Sequence, residues 1–289
     1  MIKINHLTKD YGQKRGIFDL TFEVQRGEVF GFLGPNGAGK TTTIRHLMGF
    51  IHSNAGDCSI NGLDCGTHSA EIQRNLGYMP GEIALPDDMS GLEFLHFVAD
   101  YRGVTDWTRV EQLMARFELD ARGNLKRMSK GMKQKIGIVC AFMHDPQVLI
   151  LDEPTSGLDP LMQSHFIDLV LEEKAKGKTI LMSSHIFEEV ERTADRVGII
   201  REGHLVAVDS VGALKAAQRK RYTVSFTSEK EAQAFAKEPL AVDLVKGKDV
   251  TVTVNDFQPF VAAMAHYTVV NIVAVEQSLE EIFMHYYGK

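Results

Sequence analysis

The chain is poor in cysteine: among 289 residues only Cys58, Cys65 and Cys140 occur, and no C-x-x-C pair joins them. An odd number without metal-ligand spacing excludes a disulfide framework and a cysteine metal site, and fits reduced thiols in a cytosolic protein. Positive charge is not in excess either, with 32 Lys and Arg against 38 Asp and Glu for a net of -6. General attraction to phosphate backbones is thereby excluded, and no nucleic-acid partner is expected. Long apolar runs are missing as well. Stretches such as Val148-Leu149-Ile150-Leu151 have the length of a core strand, far below the roughly 20 residues of a spanning helix. The opening Met1-Ile2-Lys3-Ile4-Asn5 lacks the apolar core of a signal peptide. No internal repeat or low-complexity segment interrupts the chain, whose length suffices for one large domain and a small one.

Short apolar strands at Ile17 to Val24 and Glu28 to Leu33 lead into a glycine-rich turn and a helix from Lys40 to about Gly49. A helix-rich stretch follows from about Pro86 to Asp145. Ser90-Gly91-Leu92-Glu93 opens it as a capping box, and Thr105 is expected to cap a second helix whose Val110, Leu113, Met114 and Phe117 share one face. Strand patterns return at Val148 to Leu151, Thr179 to Ser183 and Val197 to Ile200, separated by helical segments, as in a parallel α/β sheet. Ala, Lys and Arg dominate from Ala213 to Arg221, which reads as a linker. Beyond it the order β-α-β-β-α-β follows the ferredoxin-like plan, with a last helix opened by Ser278-Leu279-Glu280-Glu281.

Gly34-Pro35-Asn36-Gly37-Ala38-Gly39-Lys40-Thr41 fits G-x-x-x-x-G-K-[ST] between an apolar strand and a helix. With this composition the pattern arises by chance in on the order of one in a hundred such chains, and its placement lowers that further. The glycines let backbone N–H groups face an anion, the helix dipole adds to them, Lys40 reaches the β and γ phosphates, and Thr41 can hold Mg²⁺. Thr42 extends the nucleotide-facing run. A P-loop does not by itself choose between kinases, GTPases and transport ATPases.

Downstream, the strand Val148 to Leu151 ends in Asp152-Glu153, where Asp152 can hold Mg²⁺ and Glu153 can polarise an attacking water. Pro154-Thr155-Ser156-Gly157-Leu158-Asp159-Pro160 follows, and Ser183-Ser184-His185 ends the next strand. In this order the motifs resemble the ATP-binding cassette (ABC) family over roughly the first three quarters of the chain. The resemblance implies a P-loop NTPase cassette with an N-terminal β subdomain, a RecA-like core and a helical subdomain at about 86–145, all within 1–215. A small α+β domain at 222–289 completes the expected architecture. Ser156 to Asp159 would be the D-loop and His185 the switch histidine. Catalysis would rest on Glu153, His185 and Lys40.

Met128-Ser129-Lys130-Gly131-Met132-Lys133-Gln134-Lys135 resembles the family signature but departs from Leu-Ser-Gly-Gly-Gln. Ser129 and the backbone at Gly131 can still bind a γ-phosphate from a helix N-terminus, whereas Lys130 reads as a solvated charge among Arg122, Lys126, Arg127, Lys133 and Lys135. The family's signature completes the ATP site of a second copy, which implies a head-to-tail homodimer with ATP between the chains. Tyr11 stands where the family places an aromatic on adenine. Gly81, in Gly77-Tyr78-Met79-Pro80-Gly81-Glu82, stands where the family has glutamine; Glu82 either takes part of that role or sits in a loop that transmits motion. The implied task is ATP-driven transport, with resemblance to bacterial drug-resistance and antibiotic exporters in the tail Glu281-Ile282-Phe283-Met284-His285-Tyr286-Tyr287. A separate integral membrane permease and a place on the inner face of the cell membrane follow from that resemblance. The alternative is an ABC ATPase working on nucleic acid or ribosomes.

Overall fold

Apolar residues recur on one side of the first two strands, β1 (Ile2–Asp10) and β2 (Gly16–Val24), so that Ile2, Ile4, Leu7, Ile17, Leu20, Phe22 and Val24 are buried. A register shift between Ile4 and Leu7 keeps Leu7 on the buried face despite its odd spacing. With β4 (Ala55–Ile60) and β5 (Leu63–Asp64) they make an antiparallel sheet in the order β2-β1-β4-β5. Three other strands, β3 (Val29–Leu33), β7 (Val148–Asp152) and β8 (Thr179–Ser184), are buried at every residue. Strands covered on both faces read as continuous apolar runs, and these lie at the centre of a parallel sheet. Its order is β10-β9-β3-β8-β7-β6, with β6 (Leu76–Met79) at one edge and β9 (Arg196–Arg201) beside β3. The other edge, β10 (His204–Ser210), runs antiparallel to β9. Phe22 joins the two sheets, its ring 5.1 Å from Phe30 and 5.2 Å from Phe32. Burying a side chain of that size contributes about 1.5–3 kcal/mol.

The computed structural model describes residues 1–216 and 220–275, which divide into a unit spanning Met1–Val211 and a second beginning at Gly212. In the first unit α1 (Lys40–Leu47) follows β3, and α2 (Ser69–Arg74) precedes β6. Between β6 and β7 lie α3 (Gly91–Arg102), α4 (Thr108–Arg116) and α5 (Lys130–Phe142). The Ser90 and Glu93 capping box is formed, with Glu93 N donating to Ser90 Oγ at 3.2 Å and Ser90 N to Glu93 Oε2 at 2.7 Å. Thr105 does not cap α4. That helix starts three residues later, where Trp107 stacks on His96 at 4.1 Å and the Asp106 carboxylate accepts from Thr108 N at 2.9 Å. After β7 come α6 (Pro160–Ala175) and, beyond β8, α7 (Phe187–Thr193).

In the second unit β11 (Lys220–Phe226), α9 (Glu229–Phe235), β12 (Ala241–Lys246), β13 (Asp249–Val254), α10 (Phe257–Met264) and β14 (Val269–Val275) realise the β-α-β-β-α-β order. The sheet order β12-β13-β11-β14, antiparallel throughout, is that of the ferredoxin-like plan. Phe226, Phe235 and Phe260 fill its core with Val224, Val250 and Val252. The segment read as a linker carries instead the end of a helix, α8 (Val211–Ala216), and the start of β11. The helix expected at Ser278 lies outside the described residues, as does the tail from Glu281 to Tyr287.

Candidate functional site

The site is assembled where β3, β7 and β8 end. From β3 the chain turns through Gly34 to Gly39 into α1. Gly39 has φ +115°, a value L-residues avoid, and a Cβ there would come 2.6 Å from Ile17 Cγ2. Gly37, at φ +81°, is left-handed too. Such a backbone turn opening a helix is a ready anion cradle. Lys40 is 5% exposed, and its ammonium folds back over the loop, donating to Gly34 O at 2.5 Å and Pro35 O at 3.3 Å. It also pairs with Glu153 Oε1 at 3.1 Å.

Asp152, the last residue of β7, is fully buried and accepts from Thr41 Oγ1 at 2.8 Å through Oδ2 and from Ser183 Oγ through Oδ1. Glu153 follows at φ +49°, a strained conformation for a non-glycine residue. It is held from both sides. Its N–H donates to Ser183 O and Oγ, each at 3.1 Å, and its carbonyl accepts from Gln134 Nε2 at 3.0 Å. Gln134, from α5, is 2% exposed and also donates to Pro154 O at 2.9 Å. The Glu153 carboxylate, between Lys40 and the hydrogen-bonded His185 Nδ1, is aimed into the site by that turn. Burial, reinforced by the Asp152 charge, pushes the neighbouring Tyr78 phenol up to about 12.

Lys40, Thr41, Tyr78, Asp152, Glu153 and His185 line a cleft of about 520 Å³ together with Pro35, Asn36, Gly37, Gly39 and Thr42. Gly81 and Glu82 are in its wall, and a Cβ on Gly81 would lie 3.1 Å from Asp152 Oδ2. Lys130 is exposed, and its Nζ donates to Ser156 Oγ at 2.8 Å in the lining of the cleft. Of the other expected residues, Gly34 accepts from Lys40 and Ala38 N bonds Pro35 O within the loop. Ser129, Gly131, Asp159 and Tyr11 are not among the cleft's lining residues. Ser129 caps α5 by accepting from Met132 N at 3.2 Å, and Asp159 caps α6 by accepting from Met162 N at 3.0 Å. Gly131 lies against the D-loop, where a Cβ would come 2.8 Å from Gly157 O. Tyr11 is 55% exposed with Lys9 Nζ 5.7 Å from its ring centre. From sequence Gln134 falls in the signature-like run and receives no role, although a glutamine four residues before Ile138 and seven before Ala141 on one buried helix face is a usable signal.

Comparison with known proteins points to one family. The family model for ABC transporters matches residues 17–156. The linearmycin resistance ATP-binding protein LnrL of Bacillus subtilis is 32% identical over 288 residues, covering 98% of this chain and 92% of that protein. The bacitracin transport ATP-binding protein BcrA of Bacillus licheniformis is 35% identical over 235 residues, 80% of this chain and 77% of that one. A solved ATP-binding subunit of an ABC transporter superposes with a TM-score of 0.68 at 34% identity, over 75% of this chain and 92% of that chain. A dimeric bacterial ABC transporter cassette, 20% identical with a TM-score of 0.66 over 73% of this chain and 99% of that chain, shares the fold. A P-loop whose lysine meets the acidic end of β7, in a chain so related to LnrL over nearly its whole length, identifies it as a member of the ABC transporter family, an ATP-binding and ATP-hydrolysing subunit.

Proposed function

We propose that the cleft holds the triphosphate of ATP against the loop from Gly34 to Thr42, and that hydrolysis there powers export through a separate membrane protein. The observation that carries the reading is the contact of Lys40, Glu153 and His185 in one wall of the cleft. A γ-phosphate would draw Lys40 Nζ from its carbonyl partners, because a charged oxygen is the stronger acceptor. Release from Lys40 leaves the Glu153 carboxylate to orient a water and accept its proton, while His185 holds that carboxylate and contacts the γ-phosphate. Thr41 and Asp152 fit Mg²⁺: a hydroxyl and a carboxylate already 2.8 Å apart are the hard oxygen donors that ion selects. Bound there, the ion would neutralise phosphate charge.

Ser129, Gly131 and Asp159 act, in this reading, on the nucleotide of a second copy placed head to tail, and Tyr11 stacks on the adenine of its own chain. Among the described residues no helix is long and apolar enough to cross a membrane. A distinct integral membrane permease supplies the path, and the ATPase works at the inner face of the cell membrane. The direction is outward by analogy with the relatives named for linearmycin resistance and bacitracin transport. The second unit, from Gly212 through Val275 among the described residues, serves as an accessory domain to the cassette.

Replacing Glu153 by Gln tests the catalytic part. ATP binding should stay within about twofold while turnover falls by about 10²–10³-fold, as measured by nucleotide titration and phosphate release. Undiminished turnover would remove Glu153 from the mechanism.

A further inference from the structure

A carboxyl group beside the cleft has no part in the chemistry above. Glu189, in α7, is 2% exposed; its Oε2 accepts from Ser184 Oγ at 2.9 Å and its Oε1 accepts the Thr155 hydroxyl. Those two hydroxyl residues are equally deep, Thr155 at 2% and Ser184 at 1% exposure. Their places in the chain matter. Thr155 comes two residues after Glu153, on the turn leaving β7, and Ser184 comes one residue before His185, at the end of β8. The strand ladder joining β7 to β8 ends at the pair Asp152 and Ser183. Glu189 therefore spans the two turns just where sheet pairing stops.

Its own helix is firmly seated. Val190 occupies the space left by Gly31 of β3, where a Cβ would lie 2.3 Å from Val190 Cγ1, and Thr193 Oγ1 donates to Glu189 O at 2.7 Å. Ile186 N donates to Ser184 Oγ at 2.9 Å, so that hydroxyl is fixed from both sides. Burial pushes the Glu189 carboxyl above its ordinary range, and the two hydroxyl bonds oppose the shift. Burying an acid costs free energy that an apolar residue of this size would not incur.

We propose that Glu189 is a positioning residue for ATP hydrolysis, a bracket that sets the spacing of Glu153 and His185 through Thr155 and Ser184. The inference rests on those two residues being the catalytic pair. A catalytic group displaced by an ångström loses up to about 10²-fold in rate, whereas affinity made by the P-loop is untouched.

The test uses the full chain, with turnover by phosphate release, ATP affinity by titration and folding by thermal melting. Glu189→Ala should lower kcat by about 10- to 100-fold with ATP affinity and KM within about twofold. Glu189→Gln, whose amide accepts from one hydroxyl and donates to the other, should recover most of that loss. Unchanged kcat in Glu189→Ala with a lowered Tm, a parallel loss of ATP affinity, or a Gln variant as slow as the Ala variant would each overturn the bracket. Should Glu189→Ala fail to fold, Thr155→Val removes one of the same bonds and must show the same split between kcat and KM. Glu153→Gln run alongside separates the two levels, since turnover surviving in that variant contradicts the catalytic pair itself.

Discussion

The phosphate-gripping and the capping parts of this ATPase are held in different ways. Around Lys40, groups from the ends of three strands touch one another within a single chain, and Thr41, Asp152 and Ser183 are already hydrogen-bonded in line. Around Ser129 and Asp159 the functional groups are occupied with the first turns of their own helices. One region is preorganised; the other consists of helix N-termini which, in the proposed head-to-tail arrangement, would meet a phosphate held by a second copy. The polar ties between the regions are short and local: Gln134 to the Glu153 carbonyl, and Lys130 to Ser156. They tie the first turns of α5 to the turn that follows β7.

The largest expected effect is on the gripping region. Lys40→Ala should weaken ATP binding by at least about 100-fold, because a charge-assisted contact to each of two phosphates is lost, and a nucleotide titration of the isolated chain would show it. Ser129→Arg should separate the regions. Binding of ATP to one chain should stay within about twofold while turnover falls by about 100-fold, since only the capping contact is blocked. Equal losses in both quantities would mean that Ser129 belongs to the gripping site. Gly81→Ala measures the packing tolerance of the cradle: a Cβ 3.1 Å from Asp152 Oδ2 forces the carboxylate to shift, with a loss of about 5- to 10-fold in kcat.

The smallest effect concerns the join between the helical segment and the sheet. His144 follows α5 and bonds Leu76 O of β6 at 3.3 Å; burial, then the Arg102 charge, push its imidazole down from 6.5 to about 4. The unfolded chain takes up a proton at this residue near pH 6.5 and the folded chain only near pH 4. The stabilisation from neutral His144 is thus complete above 6.5 and is lost as pH falls towards 4. Unfolding free energies from denaturant titrations at pH 7 and pH 5 should differ less in His144→Gln than in the parent, by about 1 kcal/mol once solvent screening is allowed for.

Much of the gripping region was legible because each part is contiguous: a glycine-rich turn between strand and helix, and an apolar strand ending in Asp152-Glu153. The ferredoxin-like order of the second unit was legible from alternating strands. What escaped depends on groups far apart in sequence. The helical spacing of Gln134 with Ile138 and Ala141 marks it as buried but does not name its partner, and the pairing of Lys130 with Ser156 has no local pattern, because both contacts arise when α5 packs beside the turn after β7. The start of α4 was misplaced because an acceptor at Asp106 and the stacking of Trp107 on His96 outweigh the capping tendency of Thr105.

The mass of the Glu153→Gln variant in saturating ATP and magnesium, read by light scattering on a sizing column, tests the shared nucleotide site most directly. Two chains enclosing the nucleotides predict a species of twice 32.2 kDa that reverts to one chain in ADP. A particle that keeps the single-chain mass with ATP bound would contradict it.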